Sequence, residues 1–170
     1  MEEIFDNHGD DVEWLKKQTS AFQAFAGSSR FLELEVRFWR APPAVYKGIP
    51  CNWDFASHAQ HFNWEVPDES TCTLYEGPVA LICRRFHKPA SLLFPQVYGE
   101  VDRHRFLWVI DHWLRDCSLT PPCLTFLPNG TLGKRDGFHR LAAAAMIHAD
   151  PMPFWGIGHC TIPEISPFIF

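Results

Sequence analysis

Residues 136–145 read DGFHRLAAAA, and they come directly after a short stretch, residues 131–135, that itself follows Asn129-Gly130. An Asn-Gly step is a strong signal for a tight hairpin, so residues 123–127 and 131–135 read as two paired strands. Asp136 then reads as a helix N-cap. Residues 138–149 read as a helix whose run of alanines keeps it slim enough to pack closely on a sheet.

Strand, glycine turn and helix in immediate succession have a physical use. Gly137 lets the backbone turn tightly and leaves no Cβ in the path of a ligand. The first amides of a helix have no intrahelical acceptor, and the helix dipole favours an anion there. Arg140, one turn in, offers a planar fork of donors suited to phosphate. His139 adds a donor, or a group that exchanges a proton near neutral pH. The same residues also fit a plainer role, with Asp136 as a cap, Gly137 as a turn and Arg140 paired to a surface carboxylate.

Working outward from this segment, Pro151 ends the helix and residues 153–157 predict a last strand. On the other side, Pro121-Pro122 stop a helix that starts near Glu100 and carries Phe106, Val109, Ile110, Trp113 and Cys117 along one stripe. Residues 79–86, a compact apolar run after Glu76-Gly77-Pro78, predict a central strand. Residues 31–38 alternate, with Leu32, Leu34, Val36 and Phe38 against Glu33, Glu35 and Arg37, and predict a half-buried strand. Asp10 and Asp11 cap a helix carrying Val12, Leu15, Phe22 and Phe25, which Gly27 ends. Residues 41–70 show no clean period and read as loops and short strands.

With 170 residues, the chain can bury one substantial core but not two comfortable ones. Its 46 % hydrophobic and 21 % charged residues exclude a disordered chain. A net charge of −5 argues against broad, non-specific nucleic-acid affinity. The densest positive clusters are local: Arg84-Arg85 with His87-Lys88, and Arg103 with Arg105. No apolar run approaches the ~20 residues of a membrane span, and the acidic start does not fit a secretory signal. A cytoplasmic protein with no membrane insertion is expected. The six cysteines include no CxxC pair and are expected to be reduced thiols. The aromatic cluster Trp53, Phe55, Phe62 and Trp64 reads either as a stacking platform for bases or as core.

Residues 124–157 resemble the central unit of the ParB/sulfiredoxin superfamily, in which a strand hairpin runs into a G-x-x-R-x-x-A helix. Gly137, Arg140 and Ala143 fill that pattern. A weaker match extends back through Phe94-Pro95-Gln96-Val97, the helix near Glu100 and Thr120-Pro121-Pro122, so that residues 93–157 are covered. The resemblance implies a compact α/β (α+β) domain with a mixed sheet flanked by helices. Residues 1–92 would then be an N-terminal extension, a helix and strands packed on that core within a single domain of residues 1–170.

The resemblance further implies ATP or another nucleotide as ligand, with Gly137, Phe138, His139 and Arg140 as phosphate contacts. Sulfiredoxins carry their reactive cysteine where this chain has Phe138, which argues against sulfinic-acid reduction. The clamping proteins of the ParB group carry a helical DNA-binding domain after this unit, and only about a dozen residues follow Ile157 here. Some members are ATPases or DNases. One branch, the plasmid fertility-inhibition (oncogenic suppression) type, blocks conjugal DNA transfer through type IV secretion, which suggests DNA or a secretion component as partner. Phosphoryl or phosphodiester hydrolysis generally uses Mg²⁺ held by carboxylates. Asp136 and Glu100 are the expected metal ligands, Asp136, Glu100 and His139 the expected catalytic groups, and Arg103 a second phosphate contact. The alternatives are a non-enzymatic inhibitor that docks on a partner protein, and a small-molecule kinase on the same fold.

Overall fold

The computed structural model describes residues 19–55, 72–89, 92 and 101–169. Helix α1 (Ser20–Ala26) opens on Thr19, whose hydroxyl accepts from the Phe22 amide, and α2 (Ser29–Phe38) opens on Ser28 in the same way. Strand β1 (Cys72–Gly77) leads through Pro78 into α3 (Val79–Arg85). Helix α4 (Arg103–Leu114) precedes strands β2 (Cys123–Phe126) and β3 (Leu132–Asp136). Helix α5 (Phe138–Ile147), β4 (Met152–Ile157) and the short β5 (Ser166–Pro167) complete the described elements.

The strands form one mixed sheet in the order β3-β2-β4-β1-β5. β2 and β4 run parallel, joined through the hairpin strand β3 and helix α5, while β1 pairs antiparallel with β4 from Cys72↔Ile157 to Gly77↔Met152. The chain is thus an α+β fold, with helices on the sheet, as its sequence predicts. On one sheet face Leu124 and Phe154 join a large core with α2 to α5, in which Phe38, Ile82, Phe106, Ile110 and Trp113 are fully enclosed. Ala142, Ala143 and Ala144 of α5 lie in that core at no exposure, where the helix packs on α4. On the other face Leu74, Cys123 and Trp155 pack with Phe55 and Phe168. Tyr75 and Phe126 close over Gly156, where a Cβ would come within 2.6 Å of the Phe126 ring.

Two predicted strands are helices. Residues 31–38 carry apolar groups at both periods, and the helical set Phe31, Leu34 and Phe38 is the one buried. Leu32 and Val36, which make the sequence look alternating, stay 59 % and 88 % exposed. The Ser28 cap and the helix-forming Glu and Arg residues tip the balance. Residues 79–85 form α3, burying Val79, Ile82 and Cys83, and Phe86, extended and buried, follows as its C-cap. A short apolar run has no period that separates strand from helix, and the deciding contact is distant: the Asp150 carboxylate accepts from the Val79 amide at 3.0 Å. The strand at this point in the chain is instead β1, just before the turn.

Helix α4 starts at Arg103, capped by Asp102, whose Oδ1 accepts from the Arg105 amide at 2.8 Å. Glu100, the predicted start, lies outside the described residues, as do Asp10 and Asp11 and the stretch from Phe94 to Val97. Trp53 packs edge-on against Trp113, and Phe55 against Phe168, so these two rings serve the interior. Phe62 and Trp64 are outside the description. No described helix is long and apolar enough to cross a membrane.

Candidate functional site

The hairpin turns at Gly130, in the left-handed region, and β3 delivers Asp136 to the head of α5. Asp136 is the last strand residue and not the cap. Gly137 itself is the N-cap, at φ +77, and no side chain caps the helix. The backbone needs glycine here twice over. A left-handed φ strains any L side chain, and a Cβ would sit 2.8 Å from the Pro122 Cα and 2.5 Å from Arg140 Nη2. The Arg140 guanidinium folds back over Gly137, and its Nη2 holds Asp136 Oδ2 at 2.7 Å. The plainer pairing open to Arg140 in the sequence is therefore present, with Asp136 as the carboxylate.

This corner opens into a cleft of about 580 Å³. Arg105, Lys134, Arg135 and Arg140 line it, with Asp136 as the one carboxylate among the lining residues and Phe22 and Trp108 as its aromatic wall. Four cations facing one carboxylate, in a chain of net charge −5, make a local positive field that bulk composition hides. Lys134 lies over the Phe138 ring at 5.2 Å. That ring is buried against Phe86, so only the Phe138 backbone can reach a ligand.

His139 has a defined role in the architecture. Its Nε2 accepts from the Asp102 backbone amide at 3.0 Å, which ties the first turn of α5 to the start of α4. Burial pushes the imidazole down to about 4, against the opposing charge of Asp102 and with the help of Arg105, Lys134 and Arg140. At neutral pH it is therefore an uncharged ring with Nε2 occupied as an acceptor, leaving Nδ1 to carry the proton.

The expected second phosphate contact, Arg103, points elsewhere. It pairs with Glu35 at 2.6 Å and lies over Phe31. Arg105, two residues on, is the cation of that helix that lines the cleft, and Trp108 and Val109 line it one turn further along. The sequence reading thus places Asp136, Gly137, Phe138, His139 and Arg140 at the cleft, but misses Lys134, Arg135, Arg105 and Trp108. Lys134-Arg135 were signalled by direct adjacency to the motif. Arg105 was not, because nothing local says which face of α4 meets α5.

Asp136, the described member of the expected metal pair, faces a guanidinium, and Glu100 is outside the described residues. Among the described residues no group of three or more His, Cys, Asp or Glu side chains is arranged to hold a metal ion. The described donors alone do not make a Mg²⁺ seat. All six cysteines are free of disulfides. Cys123, which pairs with Asp136 across the hairpin, has its thiol pushed up by a hydrogen bond with Cys72 and by burial. Cys51 and Cys83 are pushed up to about 12 by burial. None of these three is poised as a thiolate nucleophile.

Comparison with protein-family models, with curated proteins and with solved structures finds no match.

Proposed function

We propose that the cleft at the head of α5 binds the phosphate group of a nucleotide. The observation that carries this reading is the convergence of Arg105, Lys134, Arg135 and Arg140 on an uncapped helix start whose own residue is a glycine. Two arginine forks and the open amides suit phosphate oxygens, and Trp108 and Phe22 offer an apolar wall for a flat base. The resemblance to ParB/sulfiredoxin domains agrees with this ligand class. Binding has more support than turnover. His139 is already bonded through Nε2, and the Asp136 carboxylate is held by Arg140.

The test is a calorimetric titration of ATP, CTP, GTP and ADP into the protein, with and without Mg²⁺, alongside a phosphate-release assay. Binding of at least one nucleotide, weakened in Lys134→Ala and Arg140→Ala, supports the cleft. Binding that neither variant changes places the ligand elsewhere, and no binding at all overturns the reading. Turnover that needs no second substrate favours a hydrolase; turnover that needs a phosphoryl acceptor favours a kinase. Binding without turnover favours a docking module regulated by nucleotide.

A further inference from the structure

The cleft is one end of a longer positive strip. At the far end of β3, residues 85–88 leave helix α3 and run beside the edge of the sheet, where the His87 amide donates to the Leu132 carbonyl at 2.9 Å and Phe86 bridges Leu132. Arg85 Nη1 lies 3.8 Å from where a Gly130 Cβ would stand, at the tip of the hairpin. Arg84 and Arg85 are exposed, and so are Lys134 and Arg135 midway along the strand. No carboxylate lies within ion-pair distance of Arg84, Arg85 or Lys134 among the described residues. The two basic clusters that look unrelated in sequence, residues 84–88 and 134–140, are therefore joined by β3, which spans about 13 Å at strand rise.

We infer that this strip, running from Arg84 and Arg85 along β3 into the Arg140 cleft, binds the sugar-phosphate backbone of a single-stranded nucleic acid, with a terminal nucleotide seated in the cleft. The inference rests on the phosphate-cleft reading and extends it from one nucleotide to a chain of them. Repeated arginine forks follow a line of phosphates better than they follow carboxylates scattered on a peptide. Trp108, partly exposed in the cleft lining, gives a base a surface to stack on. A net charge of −5 over the whole chain disfavours a polyanion away from such a local positive track.

The experiment measures binding of a short fluorescein-labelled oligothymidine by anisotropy across a salt series, and binding of ATP by calorimetry. Both use the full chain and its Arg84→Ala/Arg85→Ala double variant, with thermal melts as a check on folding. Both arginines are exposed at a helix end, so the variant is expected to fold. The expected result is oligonucleotide affinity lowered about 10-fold and a salt slope shallower by about 1.4, two contacts at ~0.7 each, with ATP affinity unchanged. Arg140→Ala should weaken both ligands. Oligonucleotide binding that ignores the double variant overturns the strip and leaves the cleft reading intact. Competition by polyglutamate as effective as by unlabelled oligothymidine also overturns it, in favour of an acidic protein partner. Oligonucleotide binding that depends on Arg84 and Arg85, in a protein that binds no free nucleotide, supports the strip and overturns the nucleotide cleft.

Discussion

Asp111 and Asp136 both hold arginines, and their surroundings differ in the way that separates a structural ion pair from a binding site. Asp111 sits in the last turn of α4 at 3 % exposure, gripped by Arg30 Nε at 2.8 Å and Arg115 Nε at 3.1 Å. Its two guanidinium groups converge on the carboxylate, and Arg30 also reaches Glu33. Asp136 is at the rim of a cleft, holds one arginine, and shares the space with three more cations. In the first cluster the carboxylate is the focus that the cations were placed to satisfy. In the second, four cations line one cleft with a single carboxylate, and among them Lys134 is exposed with no carboxylate in ion-pair distance among the described residues. Distance alone does not separate the two pairs, which are nearly equal. The number of cations gathered in the cleft and the exposure of the carboxylate, 4 % at Asp111 against 35 % at Asp136, do.

Substitutions can break that contrast. The largest effect is expected from Asp111→Ala, which leaves Arg30 and Arg115 without their partner and should cost about 2–3 kcal/mol in urea unfolding. That is less than for a fully sealed pair, because both guanidinium groups reach solvent. Nucleotide binding in the refolded variant should be unchanged. A loss under 0.5 kcal/mol, by order of magnitude a surface-pair value, would show that Asp111 is no anchor. Arg140→Ala should do the reverse: stability within about 1 kcal/mol of the parent, and phosphate-ligand affinity down by roughly 10- to 100-fold, the worth of a charge-assisted bond. Equal affinity in calorimetry would remove Arg140 from the site.

His139 sharpens the contrast through pH. Its folded-state value of about 4 lies below the 6.5 of the unfolded chain, so the unfolded state takes up the proton first. Its contribution to stability is fully present above pH 6.5 and is lost as pH falls toward 4. With the ring partly open to the cleft, a loss of about 1–2 kcal/mol is expected. His139→Gln should flatten that segment of the stability profile measured by denaturant melts from pH 7 to 4; an unchanged profile assigns the loss to other groups. The smallest effect is expected from Asp136→Asn. Removing the carboxylate charge frees the Arg140 guanidinium and should tighten ATP or oligonucleotide binding about 3- to 10-fold. Weaker binding would mean that Asp136 itself contacts the ligand or a metal.

Local sequence was enough where one interaction decides. Asn129-Gly130 signals the hairpin, Gly137 the tight turn, and the alanines the helix, although that helix ends at Ile147 and not at residue 149. Five of the motif's residues, 136–140, line the cleft for the same reason: β3, Gly137 and α5 are contiguous, so their geometry is set by neighbours in the chain. The mixed α+β class was legible too, since hairpin, helix and returning strand already imply a parallel pair. Tertiary contacts decided the rest. Residues 31–38 and 79–86 carry apolar groups that satisfy either period, and only what they pack against, together with the Asp150 cap on α3, selects helix. Cys72–Gly77 becomes a strand because β4 offers it an edge. Arg105 rather than Arg103 reaches the cleft because Asp102 caps α4 and donates its amide to His139, which fixes how that helix is rotated against α5. A sequence records which charges exist; the pairing of distant elements decides which of them face one another, because the energy that orients them comes from burial and hydrogen bonds made across the fold.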